Sequence, residues 1–268
     1  MYKQNIYYYV HTGHRIGLDR FRRACTILSL LKDVDITLLC SDYRIAQAAS
    51  EFGVEKSVGI DVVRNIPQIA YKGDKLIFDS DEANPTMLKD MKEFFSSFLH
   101  IDNEMIVIDD KYFKIEEKTI EMSLFFGDDD YEKDLQKNFS FFDGLDLYLQ
   151  LGFYYFLDYE DMLREKFPNH FEFEEYDEMI RRSKILITPS PQAVLQNLAS
   201  GGKPIYIQRE DYTTAYQKVF EKLNIPIIKE YSKEELSTIL ETIDSRKYYN
   251  LQQNSSQIYK FIKYNLSL

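Results

Sequence analysis

The stretch from Lys184 to Gln208, KILITPSPQAVLQNLASGGKPIYIQ, decides the fold. Ile185-Leu186-Ile187 is a continuous apolar run, the pattern of a strand buried on both faces of a parallel sheet. Ser190 is a good N-cap, and Pro191 falls at the first helical position, where a missing N–H costs nothing. Ala193, Val194, Leu198 and Ala199 make a helical apolar stripe, Gly201-Gly202 stops the helix, and Pro204 leads into Ile205-Tyr206-Ile207. The result is a βαβ unit with a bare loop at the carboxyl end of its first strand. Ligands bind at such ends in open α/β sheets, and a helix N-terminus suits a phosphate. The backbone N–H groups from Ser190 to Ala193 are therefore candidates for a diphosphate, with Gln192 and Asn197 for ribose or sugar hydroxyls. The alternative is that Ser190 is only an N-cap.

Working outward, the same alternation continues on both sides. Toward the C-terminus, Tyr212 to Leu223 reads as a helix, Pro226-Ile227-Ile228 as a strand, and Lys233 to Ile243 and Asn250 to Tyr264 as helices. Before the opening unit, Glu121 to Phe126 is a strand closed by Gly127-Asp128-Asp129-Asp130, and Tyr131 to Lys137 is helical. Leu145 to Leu157 is apolar around Gly152 and fits one strand or two. Asp161 to Phe167 and Tyr176 to Ser183 are helical, and Phe171-Glu172-Phe173 is a short strand. The first half alternates in the same way. Strands are expected at Asn5–Val10, Asp35–Cys40, Lys56–Ile60, Lys75–Asp79 and Glu104–Ile108, and helices at Leu18–Leu31, Tyr43–Phe52 and Thr86–Leu99. Phe113 to Thr119 is charged and irregular and reads as a linker. The fold class is therefore α/β, with two Rossmann-like parallel-sheet domains over residues 1–115 and 120–268. The last helix is free to cross back to the first domain, and a site in such a protein sits in the cleft between domains.

Size and composition agree. A chain of 268 residues suffices for two domains, and 44% hydrophobic with 29% charged residues describes a globular protein. The net charge of −11 brings no dominant basic patch, so nucleic acid is a poor partner. Cys25 and Cys40 read as reduced core thiols of a cytoplasmic protein. Met1-Tyr2-Lys3 leads straight into a strand with no signal segment, and no apolar window reaches the length of a membrane span.

Three motifs in order resemble the GT-B-fold sugar-nucleotide enzymes. The resemblance is nearest to the UDP-sugar hydrolase of pseudaminic acid biosynthesis and the peptidoglycan GlcNAc transferase. The stretch FEEYDEMIRRSKILITPSPQAVLQNLASGGKPIYIQRE looks like their donor-binding half. Phe126-Gly127-Asp128-Asp129-Asp130 stands where the hydrolase has FGGSD, and Ile16-Gly17-Leu18-Asp19-Arg20-Phe21-Arg22-Arg23 stands in register with IGxGHxxR. The family histidine aligns with Arg20, the glycine before it with Asp19, and the transferase's ribose-binding glutamate with Asn197. Gly17, Arg23, Gly127 and Asp130 are retained.

The resemblance implies a GT-B fold, no cofactor and no metal, and a UDP-sugar held by the C-terminal domain. Water or a sugar or glycan acceptor would enter from the N-terminal one. It implies cleavage of the sugar–phosphate bond with inversion, by transfer or hydrolysis, in bacterial surface-glycan or nonulosonic acid metabolism. Donor contacts fall to Gly17, Gly127, Asp130, Ser190, Gln192, Ala193, Asn197 and Arg209, with Thr213 nearby. Arg20 stays protonated and steadies charge rather than moving protons. His14 or Asp79 is then the base, with His11 a similar candidate and Ser80-Asp81-Glu82 and Asp109-Asp110 as further acidic loops. Asp128 is expected to cap the following helix while its two neighbours face solvent, unless a cation bridges them to phosphate. The alternative to an enzyme is a non-catalytic relative that senses a sugar nucleotide or serves as an assembly partner.

Overall fold

The computed structural model describes residues 4–268. Met1-Tyr2-Lys3, on which the signal-segment reading rests, lie outside the described residues. The chain divides into two compact units. One comprises the residues up to Val107 together with Asn254–Leu268, and the other is Ile108–Gln253.

In the first unit β1 (Ile6–Val10), α1 (Asp19–Leu30), β2 (Ile36–Cys40), α2 (Tyr43–Ala48), β3 (Ser57–Gly59), α3 (Ile66–Ile69), β4 (Lys75–Asp79), α4 (Pro85–Phe94) and β5 (Ser97–His100) follow one another. The strands form one parallel sheet in the order β3-β2-β1-β4-β5. β1 and β4 are interior strands and are buried throughout, with the apolar residues of IYYYV and of Leu76-Ile77-Phe78 packed on both faces. Asp42 caps α2 by accepting from the Arg44 and Ile45 N–H groups. Asn84 caps α4, whose first residue is Pro85.

The second unit holds β6 (Ile120–Phe125), α5 (Asp134–Lys137), β7 (Tyr148–Gln150), α6 (Leu157–Lys166), β8 (His170–Phe171), α7 (Tyr176–Arg182), β9 (Ser183–Thr188), α8 (Pro191–Ala199), β10 (Lys203–Ile207), α9 (Gln217–Lys222), β11 (Ile227–Ile228) and α10 (Lys233–Thr242). Its sheet is also parallel, in the order β11-β10-β9-β6-β7-β8. All nine residues of α8 are buried. The core of this unit runs from Leu124 through Leu149 and Ile187 to Ile205 and Ile228.

After residue 253 the chain rejoins the first unit, where α11 (Ser255–Asn265) buries Ile258, Ile262 and Leu266. The Lys75 ammonium, at the start of β4, donates to the Leu266 carbonyl at 2.6 Å and the Ser267 carbonyl at 3.2 Å.

The order of strands reverses once in each unit. The chain steps from β1 to β2 and β3 on one side and to β4 and β5 on the other. In the second unit it steps from β6 to β7 and β8, then to β9, β10 and β11. The crevices at the carboxyl ends of β1/β4 and β6/β9 are thus the topological switch points, where open α/β sheets take ligands.

Several elements differ from the sequence reading. The helix expected over Thr86–Leu99 ends at Phe94, and Ser97–His100 pairs with β4 as the edge strand. Phe94, Phe95, Phe98 and Leu99 satisfy a helical period, but pairing with Lys75–Phe78 wins over it. Glu104–Ile108, expected as the fifth strand, forms none, because β5 already occupies that edge. Within Leu145–Leu157 only Tyr148–Gln150 is strand. The helices expected from Tyr131 and Tyr212 begin at Asp134 and Gln217, since both segments before them are loops at the carboxyl edge.

Candidate functional site

At the β1/β4 switch point the loop His11–Gly17 closes on itself. The Thr12 hydroxyl donates to the Gly17 carbonyl at 2.8 Å, and the Gly17 N–H donates to the Gly13 carbonyl at 2.9 Å. Gly17 has φ +75°, a left-handed conformation that favours glycine. Its N–H is engaged inside the loop. His14 lies half-buried at the turn of this loop.

His11 begins the loop, and its N–H donates to the Asp79 carbonyl at 3.0 Å. Its Nδ1 lies 3.3 Å from the Asp81 carboxylate, and its Nε2 lies 3.8 Å from Glu82. The Arg20 guanidinium donates to the other Asp81 oxygen at 2.9 Å. Hydrogen bonding from His11, followed by the charge of Arg20, holds the Asp81 carboxyl well below the usual carboxylate range. The Tyr9 hydroxyl donates to Glu82, whose Oε2 also accepts from Ser80 at 3.0 Å.

Asp79, a candidate base in the sequence, ends β4. It is fully buried and accepts from the Tyr8 hydroxyl at 2.9 Å and from Arg23 Nε at 3.0 Å and Nη2, with Arg20 Nε at 3.8 Å. A carboxylate so enclosed anchors the two arginines. Arg20 thus lies between Asp79 and Asp81.

At the β6/β9 switch point Ser190 caps α8. Its hydroxyl accepts from the Ala193 N–H at 3.1 Å, and its own N–H donates to the Thr188 hydroxyl at 3.0 Å. Pro191 has no N–H, and the Val194 N–H is taken by the Ser190 carbonyl. The helix end is therefore largely capped by its own residues, the Ala193 N–H among them. Gln192 is nine-tenths buried. Asn197 lies further along α8. Its amide is fully buried and donates at 3.0 Å to the carbonyls of Ile180 and Ser183, fastening α8 to α7 and β9.

The loop after β6 is not the solvated acidic turn expected: Asp128, Asp129 and Asp130 are all buried, and Asp130 reaches the first turn of α5. Asp130 accepts from the N–H groups of Asp134 and Leu135 at 2.8 and 2.9 Å and from the Tyr159 hydroxyl. Burial pushes its carboxyl up, against the pull of Tyr159 and Arg209. Gly127 takes φ +102°, and the Tyr212 hydroxyl approaches so closely that a Cβ there would lie 2.8 Å from it.

Gly152, after β7, is a position sequence reasoning passed over. A Cβ at Gly152 would lie 2.5 Å from the Gly127 carbonyl oxygen, so the two loops meet backbone to backbone. A glycine just past a strand is the signal for such an approach. Among the described residues, no group of three or more His, Cys, Asp or Glu side chains is arranged to hold a metal ion.

Arg209, expected to contact the donor, joins the loops after β6 and β10. Its Nη1 donates to the Phe126 carbonyl at 3.0 Å and the Asp129 carbonyl at 2.9 Å. Nε and Nη2 donate to the two oxygens of Asp211 at 2.9 and 2.6 Å. The Phe126 and Tyr212 rings lie 5.0 and 4.6 Å from the guanidinium.

No protein-family model matches the chain, and no curated protein matches it. Solved structures do. The UDP-GlcNAc 2-epimerase of Methanocaldococcus jannaschii, in complex with UDP-GlcNAc and UDP, aligns with a TM-score of 0.61 at 10% identity, over 97% of this chain and 99% of that one. HepE of Anabaena in complex with UDP-glucose gives 0.57 at 11% identity, over 98% and 96%. A glycosyltransferase of Rickettsia africae gives 0.51 at 10% identity, over 99% and 93%. Likeness at such identity carries the fold. With two parallel sheets of this topology, the chain has the GT-B fold.

Proposed function

We propose that this chain binds a nucleoside-diphosphate sugar, a UDP-sugar in the first instance, in the second unit and cleaves its sugar–phosphate bond. The observation that carries an enzymatic reading is the His11–Asp81–Arg20 arrangement at the β1/β4 switch point. Arg20 keeps Asp81 ionised and Asp81 holds Nδ1–H, which leaves Nε2 to accept a proton. The proton comes from an acceptor hydroxyl or from water. The freed oxygen bonds to the anomeric carbon, and the nucleoside diphosphate leaves with the electron pair of the broken C–O bond, inverting the centre. With water as acceptor the reaction is the hydrolysis of the family that the sequence resembles. A place in surface-glycan or nonulosonic acid metabolism follows from that resemblance. UDP and UDP-sugar complexes among the structural neighbours support the choice of nucleotide.

The second reading, a sugar-nucleotide-binding relative without catalysis, is favoured by the self-capped end of α8 and the three buried carboxylates after β6. Titration with UDP, GDP, CMP and dTDP and their sugars tests binding. At one hundred times the dissociation constant a ligand stabilises by about 2.7 kcal/mol, which shifts the melting temperature readably. Nucleotide release from the sugar that binds then separates the readings. The enzymatic one expects His11→Ala to abolish release and its pH dependence while leaving nucleotide affinity unchanged. Wild-type binding without release leaves the binding relative.

A further inference from the structure

The guanidinium of Arg209 has two unlike edges. Its Nη1 edge is fixed to backbone carbonyls of Phe126 and Asp129, its faces are covered by Phe126 and Tyr212, and its side chain is 2% exposed. The Nε/Nη2 edge meets one acceptor group, the carboxylate of Asp211, two residues along. The Asp211 side chain is 35% exposed and belongs to a loop without regular structure between β10 and α9. Asp130 lies 4.0 Å from Nη2 and adds negative charge, but its oxygens already accept from Asp134, Leu135 and Tyr159. Asp211 thus occupies the whole fork, and it does so from the solvent side.

A planar fork of two N–H donors fits a carboxylate and a phosphoryl group alike. A rigidly held fork at the carboxyl edge, filled by a carboxylate on an irregular loop, is a binding site with an internal occupant. We propose that the Nε/Nη2 edge of Arg209 is the phosphoryl-binding site of the nucleotide, and that Asp211 stands in for the phosphate until the ligand displaces it. This rests on the reading that the second unit binds a nucleoside diphosphate. The contact is autoinhibitory, because an occupied fork lowers the apparent affinity by the fraction of time it is open.

The test is calorimetric titration of UDP, inorganic pyrophosphate and uridine into the wild-type protein, Asp211→Asn, Asp211→Ala and the double variant Arg209→Lys with Asp211→Ala. Melting curves confirm that each is folded, and the isosteric Asn serves if Ala is not. Freeing the fork is expected to tighten UDP and pyrophosphate about tenfold, corresponding to a fork open for about a tenth of the time in the wild type. Uridine should bind each protein alike, and the double variant should lose the gain. Unchanged or weaker binding of both anions by the Asp211 variants overturns the proposal, and the nucleotide reading survives if the wild type binds UDP. A gain for pyrophosphate without any for UDP leaves the fork standing and removes the nucleotide. No binding of either anion by any of the proteins sinks both.

Discussion

Asn197 sits in the middle of α8 with a wholly buried amide, where the resemblance implies a contact to the donor. Its Nδ2 bonds instead to the last carbonyls of one element and the first of the next, Ile180 and Ser183. Asn197→Ala leaves both carbonyls buried without that donor, which is expected to cost about 2 to 4 kcal/mol in urea unfolding. The folded variant should keep the wild-type affinity for UDP. Lost affinity at unchanged stability would return Asn197 to the ligand. Ser190 and Pro191 were legible because a cap is a local matter, settled within three residues. The roles of Arg209 and Asp130 were not, since the Phe126 carbonyl that fixes Arg209 lies 83 residues away. His11 was legible as a candidate, but its partner Asp81 comes from the loop after the adjacent strand β4, and only the pairing of β1 with β4 brings them together.

Among the elements, short apolar stretches located β1, β2, β4, β9 and β10, all interior strands of their sheets. Edge strands defeated the same reasoning. Ser97–His100 is half-exposed and too short to show a period of two, and Glu104–Ile108 is apolar without a neighbour to pair with. Contacts between helix ends were likewise hidden. Lys118, in the segment before β6, donates to the Arg181 carbonyl at the end of α7 at 2.6 Å and to the Ser200 hydroxyl at the end of α8 at 3.1 Å. Burial pushes its ammonium down to about 8, with Glu116 opposing. The folded value is below the unfolded one of about 10.4, so in that window the unfolded chain binds more protons. Stability contributed by Lys118 therefore rises as pH climbs from about 8 toward the ordinary lysine range. Lys118→Met should lose this rise. The gap in melting temperature between wild type and variant is expected to shift in favour of the wild type from pH 8 to 10, and a constant gap would refute the assignment.

At the scale of the whole molecule, alternation of strand and helix made two parallel-sheet halves legible without any partner information. Which half receives the last helix depends on burial that no local pattern encodes. The stripe Ile258, Ile262 and Leu266 suits any apolar surface; what selects the first unit is specific and polar. Lys75 bonds the carbonyls at the end of α11, Asp33 binds Tyr259 and Lys263, and Asn254 reaches the Ile106 carbonyl. The first unit is therefore built from two ends of the chain, and its stability depends on residues far beyond its own sheet in sequence. Ile262 is fully buried, and Ile262→Ala is expected to cost roughly 2 to 5 kcal/mol, from lost transfer energy and the cavity left behind. Because the two units have separate cores, the loss should fall on one of them. Native-state hydrogen exchange should show β1, β2 and β4 losing protection together with α11, while β6, β9 and β10 keep theirs. Equal loss in both sheets would mean that the units unfold as one, and that α11 stabilises the whole chain rather than the first unit.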